Sequence, residues 1–291
     1  MTERLGDIEA RIATVHQLET VITAMRGIAA ARSREARTRL DGIRTYAKSV
    51  GAAIGEALAF LPQSGEPAVP EPASLGPARG GTVVLALCAE QGFVGSFNGR
   101  VLDRVAALKI VAAHDLLLVG DRGLMAAGER EMQVAWSAAM VAHADEVPAL
   151  ADRIADALYQ RIEAGAARVL LVHAVPDHLQ GEMNDRSVVI HQLVPFDYAR
   201  FPVSRRAVAP LITLPPQVLL AQLAQEFVFA EICEALMLSF SAENEARMQA
   251  MIAANNNVRR RREELLGDYR RLRQEGITNE VIELAASRTT G

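Results

Sequence analysis

Aromatic residues are scarce in this chain, only 4% of 291 residues. That is few for a core built mainly on packed sheets, and the heavy use of alanine favours long helices. An excess of positive charge is also missing. Lysine and arginine number 31 against 35 acids, a net charge of −4, whereas a dedicated nucleic-acid binder is basic overall. The two cysteines, Cys88 and Cys233, lie far apart in apolar surroundings; this is ordinary usage in a reducing compartment and calls for no disulfide framework. No apolar run reaches the ~18 residues that span a bilayer. The first residues, MTERLGDIEARI, are charged and amphipathic, without the apolar stretch of a secretion signal.

Catalytic constellations are lacking too. No Gly-x-x-x-x-Gly-Lys-Ser/Thr occurs, so a phosphate-cradling P-loop is absent. Gly92, Gly95 and Gly99 follow an apolar run, but not at the spacing of the dinucleotide fingerprint. The six histidines show no metal spacing on any one helix. His173, Asp177 and His178 could share a metal, although a polar loop is the simpler reading. No nucleophile, base and orienting group can be nominated. Neither a cofactor, a metal nor a catalytic role is expected of the chain by itself.

Where proline is missing, helices are expected. None precedes Pro62 and none falls between Val218 and about Ala286. In the first stretch Ile8, Ile12, Val15, Leu18, Ile22, Met25 and Ala29 recur every three or four residues, close to a 3.5-residue period. In the second, Leu219, Leu223, Phe227, Ala230, Cys233, Met237 and Phe240 form a stripe that Met248, Ile252, Asn255, Leu265, Tyr269 and Leu272 extend. Helices of these spans reach roughly 85 and 100 Å at ~1.5 Å per residue, wider than a compact domain. Pairing with each other as an antiparallel coiled coil is the economical solution.

The middle has a different grammar. Residues 61–81, LPQSGEPAVPEPASLGPARGG, hold five prolines and form a linker. Beyond them TVVLALC (82–88) and DLLLV (115–119) read as buried strands, and RVLLVHAV (168–175) and SVVIHQL (187–193) are similar aliphatic runs. Between the second and third lies an amphipathic helix with Leu150, Ile154, Leu158 and Ile162 on one face. The expected fold is α/β with long terminal helices: an antiparallel coiled coil plus a central layered, Rossmann-like α/β domain. The boundaries are a shaft helix over 1–60, the linker over 61–81, the α/β domain over 82–200, a second linker over 201–216 and a second shaft helix over 217–291. Charge follows this division: residues 1–60 carry +2, residues 243–291 carry +1, and the middle is acidic.

Three stretches carry a resemblance. RIATVHQLETVITAMRGIAAARSREA (11–36) is similar to the N-terminal helix of the γ subunit of rotary F-type ATP synthases, where Arg-Ile-x-Ser-Val leads to Ile-Thr-x-Ala-Met. The stretch 243–284, from ENEARMQAM to ITNEVIEL, aligns without gaps to that family's Glu-x-x-Ala-Arg-Met, Tyr-x-x-x-Arg-Gln and Ile-Thr-x-Glu. AEQGFVGSFN (89–98) resembles a worn form of Ser-Asp-x-Gly-Leu-Cys-Gly-x-Phe-Asn. The matches fall in family order. Leu18, Thr20, Ile22, Asn256 and Arg259 to Arg262 depart from the pattern, as in a divergent branch such as the sodium-translocating second ATPase of some bacteria.

The resemblance implies a non-catalytic rotor subunit. Its partners would be the α and β subunits of the hexamer, the ε subunit and the membrane c-ring, with no nucleic acid. Its place would be peripheral, on the cytoplasmic face of a bacterial inner (plasma) membrane. Carried over by position, the partner contacts are Met25, Arg247, Arg273 with Gln274, and Thr278 with Glu280. Met25 can equally be a seam residue, and Glu280 a solvated helix charge. The competing class is a coiled-coil hinge protein of the chromosome-maintenance type holding DNA, against which the net charge and the short arms weigh. A stand-alone α/β enzyme is the third reading.

NNNVRRRREE (255–264) bears on this choice. On a helix, Arg259, Arg260, Arg261 and Arg262 sweep slightly more than one turn. At least one must face the partner helix, where Glu19, Glu35 or another acid can meet it or its stem can pack. The others form a basic collar towards acidic loops of the ring, or a solvated turn paired with Glu263 and Glu264.

Overall fold

The computed structural model describes residues 2–61, 80–108, 110, 114–177, 187–204 and 210–289, the side chains at 2–3, 280 and 283–289 excepted. Two long helices bracket the chain, α1 (Thr2–Leu58) and α5 (Pro216–Thr289). Pro216 opens α5 at a position where a missing N–H costs nothing. The chain divides into two compact units, Met1–Ala30 with Arg247–Gly291, and Ala31–Ala246.

The first unit is an antiparallel helix pair. On α5 the inward residues are Met251, Asn255, Val258, Arg262, Leu265, Tyr269 and Leu272, alternating steps of four and three. On α1 they are Leu5, Ile8, Ile12, Val15, Glu19, Ile22 and Met25. Asn255 donates to the Thr23 hydroxyl at 3.4 Å and Arg262 to Glu19 at 2.6 Å, which fixes opposite chain directions. Two expected stripe positions need correction. Leu18 is 48% exposed and Glu19 takes its place; Ile252 is 42% exposed while Met251 is buried. The 3.5-residue period selects these positions whatever the side chain, so an apolar neighbour one residue away is left outside.

In the second unit five strands form one sheet in the order β3-β2-β1-β4-β5. They are β1 (Thr82–Leu87), β2 (His114–Val119), β3 (Val134–Ala138), β4 (Arg168–Ala174) and β5 (Val188–Val194). The first four are parallel and β5 runs antiparallel to β4. β1 is buried at every residue, as a run of aliphatic side chains requires when helices cover both faces. Val83, Leu85 and Leu87 point to the face covered by α4 (Val147–Glu163), the part of α1 around Leu40, and α5 around Leu236. Val84 and Ala86 point to the face covered by α2 (Phe97–Ala106) and α3 (Asp121–Gly128). Each buried Leu, Ile or Val contributes about 1.5–3 kcal/mol relative to exposure.

A third cluster joins Val50, Ile54 and Ala57 of α1 to Phe201, Leu220 and Phe227. Gly55 lies in this region because a Cβ there would stand 2.4 Å from the Pro202 carbonyl oxygen. α2 and β3 were not expected from the sequence, whereas VGDRG (119–123) reads as the strand-to-helix turn that leads from β2 into α3. β3 reads Val-Ala-Trp-Ser-Ala, whose small residues hide its alternation. Most of the proline-rich stretch 61–81, with His178 and residues 205–209, lies outside the described residues.

Candidate functional site

The arginine block divides by geometry. Arg259, Arg260 and Arg261 are exposed, and Arg262 turns into the helix pair. Arg260 donates to Asn257 Oδ1 at 2.8 Å and Arg261 to Glu264 Oε2 at 2.7 Å, both one turn away on α5. Such pairs are worth a few tenths of a kcal/mol on a helix surface. Arg262 Nη1 meets Glu19 Oε2 at 2.6 Å, with the two side chains 33% and 20% exposed. The inward arginine and its acid thus occupy seam positions on both helices.

The other candidate contacts scatter over the same helices. Arg273, Gln274 and Thr278 are exposed on the last turns of α5, and the Thr278 hydroxyl donates to the Gln274 carbonyl at 2.9 Å. Glu280 lies on α5 with its side chain outside the described residues. Met25 is half-buried. It continues both the seam and a second row, Leu18, Val21 and Ile28, whose members are 48%, 55% and 54% exposed. Arg247 is only 4% exposed. Exposed apolar side chains recur near the end of α5 at Ile277, Val281 and Ile282. Apart from Leu18 and Met25, which it assigned to the seam, apolar counting had not singled out members of these outward rows.

The described residues of the sheet unit include several buried titratable groups. No group of three His, Cys, Asp or Glu there could hold a metal. Burial pushes His173 down to about 4, and its Nδ1 lies 3.0 Å from the Ala174 carbonyl oxygen. Burial raises Cys88 to about 12, with the Glu243 carboxylate adding to the effect, and raises Cys233 to about 12. Neither thiol is a nucleophile at neutral pH. A cavity of about 120 Å³ between α4, β5 and α5 is lined mainly by apolar side chains, Leu158, Leu193, Val228 and Ile232 among them, with Tyr159 and Gln225 as its polar members.

The C-terminal rim of the parallel strands is filled by carboxylates. Glu90 Oε2 accepts from the amides of Asp121 (3.1 Å) and Met140 (2.8 Å). Asn98 Oδ1 accepts from the Ala89 amide at 2.8 Å. On the same rim Phe93 adopts φ +61° and is 66% exposed. A left-handed conformation costs a bulky residue about 1–2 kcal/mol, more than glycine's extra freedom when unfolded. Phe93→Gly is therefore expected to raise the stability of the chain by up to about 1 kcal/mol, a Tm gain of a few degrees in thermal denaturation. A fall in Tm would show that the ring is packed.

Comparison with known proteins covers the whole chain. A family model described as ATP synthase matches residues 4–289. An ATP synthase gamma chain from Fuscovulum blasticum is 29% identical, covering 96% of each chain. One from Salinibacter ruber is 25% identical, covering 97% of this chain and 96% of that one. Among solved structures, a chain of the Euglena gracilis mitochondrial ATP synthase (OSCP/F1/c-ring, rotational state 3) aligns with a TM-score of 0.63 at 10% identity. That alignment covers all of this chain and 95% of its counterpart. A chain of the central stalk/c-ring of the Tetrahymena thermophila enzyme gives 0.52 at 19% identity, covering 80% of this chain and 99% of the other. At such identities the likeness is one of fold.

Proposed function

Because this chain belongs to the ATP synthase family and is built as a γ chain from end to end, we propose that it is the central-stalk rotor. It couples ion-driven rotation of a membrane c-ring to nucleotide binding changes in an α/β hexamer, with ε as a further partner. The observation that carries the reading is the antiparallel pair formed by residues 2–30 and 247–289, within a family match over residues 4–289. In this reading the chain is a non-catalytic subunit. It acts by contact, favouring one conformation of each surrounding subunit over another, and it can shift those equilibria only by the difference in contact energy.

A shaft must remake its contacts at each step, so deep packing against one neighbour would trap it. What supports this role is an outer surface that is charged and only thinly apolar. Arg259, Arg260, Arg261, Arg273 and Gln274 present exposed polar groups, while the exposed apolar side chains keep to two short rows, Leu18, Val21 and Ile28 on α1 and Ile277, Val281 and Ile282 on α5. The arginines form the collar that faces acidic loops of the hexamer. Met25, Arg247, Thr278 and Glu280 are the remaining proposed contacts. Among the described residues no helix is long and apolar enough to cross a membrane. We place the chain peripherally, at the cytoplasmic face of a bacterial plasma membrane. Whether it belongs to the sodium-translocating branch is tested by the dependence of ATP-driven pumping on sodium.

A tagged chain is expected to co-purify with α and β in fixed stoichiometry; a monomer without them would sink the rotor reading. Gln274→Ala tests the contacts more cleanly than Arg247→Ala, since Gln274 is exposed and Arg247 is not. The expected result is a several-fold loss of ATP-driven ion pumping, about 1 kcal/mol of contact energy, with assembly unchanged. Normal pumping would remove Gln274 from the contact set.

A further inference from the structure

The sheet order changes direction beside β1: β2 and β3 lie on one side of it, and β4 and β5 on the other. In doubly wound sheets a ligand sits in the crevice outside the C-terminal ends of the two strands at such a reversal. Here the lips of that crevice are Gln91, after β1, and Asp177, after β4. Both amides donate to carboxylates of α5. The Gln91 N–H reaches Glu243 Oε1 at 3.4 Å, and the Asp177 N–H reaches Glu245 Oε2 at 3.2 Å. The other Glu245 oxygen accepts from Arg37 Nη2 at 2.5 Å and from the Ser33 hydroxyl at 3.4 Å. Two turns earlier the Ser239 hydroxyl donates to the Leu87 carbonyl at 3.3 Å, where β1 ends.

Glu243 and Glu245 are 3% and 8% exposed. A helix that needed only to cover a sheet would present aliphatic side chains there, because burying carboxylates is costly unless the site supplies donors and countercharge. This site supplies both: two strand-end amides, a hydroxyl and a guanidinium, the kind of set that holds a bound anion.

We propose that the ligand crevice of this sheet is an anion site permanently occupied by the chain's own Glu243 and Glu245 carboxylates, which peg α5 to the ends of β1 and β4 under rotational load. The load-bearing half rests on the rotor reading; the occupied anion site does not. In this arrangement α5 takes the place that a phosphate group takes in nucleotide-binding relatives of the fold, and the unit keeps the site's donors while excluding its ligand.

The test is amide hydrogen exchange on the full chain carrying Glu243→Ala or Glu245→Ala. Exchange at Gln91 and Asp177 respectively is expected to rise at least tenfold while the β1–β4 ladder stays protected. Added acetate, a carboxylate small enough to enter the vacated space, is expected to restore most of the protection; chloride at equal ionic strength is not. Unchanged exchange, or a loss that acetate cannot reverse, overturns the anion site. Glu245→Gln covers the case of an alanine variant that does not fold. It keeps an acceptor for Asp177 but no charge for Arg37, and is expected to raise exchange there severalfold; wild-type exchange would overturn the role of charge. In the assembled complex, Glu243→Ala with Glu245→Ala is expected to lower ions pumped per ATP at least twofold, with recovery in acetate. Full coupling in that complex overturns the pegs and leaves the rotor reading standing. A wild-type chain that never captures α and β overturns the rotor reading and leaves the crevice as described.

Discussion

Gly123→Val is expected to unfold the sheet-bearing unit roughly 10 °C or more below the parent chain, a loss of at least about 3 kcal/mol. A Cβ at position 123 would lie 2.1 Å from Cys88 Cβ, 2.8 Å from its Sγ and 3.3 Å from Leu118 Cδ2. None of these atoms can retreat. Cys88 and Leu118 are fully buried, and α3 is tied in place because the amides of Arg122 and Gly123 donate to the Ala89 carbonyl at 3.1 and 3.3 Å. Moving the helix away would break those bonds; moving β1 would open the middle of the sheet. Gly128→Ala is the control. It sits on the same helix with nothing within 4 Å of its would-be Cβ, and it should gain up to about 1 kcal/mol in helix propensity. Thermal denaturation of both variants decides the matter. A mild effect at 123 equal to that at 128 would show that the close approach to Cys88 is not real.

The contrast between those glycines shows where reading the sequence stops. The proline-free runs and their 3.5-residue period were enough to place two long helices and to pair them, because length and period are properties of the chain itself. The uninterrupted aliphatic runs at 82–88 and 115–119 marked strands covered on both faces. Val134 to Ala138 escaped because a short edge strand of small residues carries little period-two signal. Apolar counting placed Leu18 in the seam, because it cannot nominate a charged residue; the arginine block had named Glu19 among the acids that could meet an inward arginine, and the pair that forms is Arg262 with Glu19. Glu243 and Glu245 were hidden for a related reason. Their burial follows from the sheet's reversal point, which depends on strand order and not on anything local to ENEARM. Phe93 was similarly illegible, because its backbone conformation is set by the turn around it.

The same seam yields the second large effect. Arg262→Glu is expected to destabilise the helix pair by about 2 kcal/mol, between the ~0–1 of an exposed pair and the 3–5 of a fully buried one. It replaces a 2.6 Å ion pair by two carboxylates in a seam where both groups are mostly covered. Glu19→Arg combined with Arg262→Glu should recover most of the loss, because the swap restores attraction without changing the surrounding Val15, Ile22, Val258 and Leu265. A double variant as unstable as the single one would mean that Arg262 acts through its packing stem and not its charge. Glu19→Leu combined with Arg262→Leu should be as stable as the parent or more so, since well-packed apolar residues often outperform a buried pair. What it should lose is register. Once the inward Asn255 is replaced as well, one heptad step is nearly as good as another, because polar seam positions are what forbid the slip. Thr23 and Asn255, whose side chains meet at 3.4 Å, provide the gauge. With Thr23→Cys and Asn255→Cys introduced, oxidation should crosslink the parent background nearly completely. In the background carrying both leucine substitutions it should do so only in part. Equal crosslinking in both would show that apolar packing alone holds the register. The contacts proposed for Arg273 and Gln274 depend on that register, because it sets the face of the helix pair on which both residues stand.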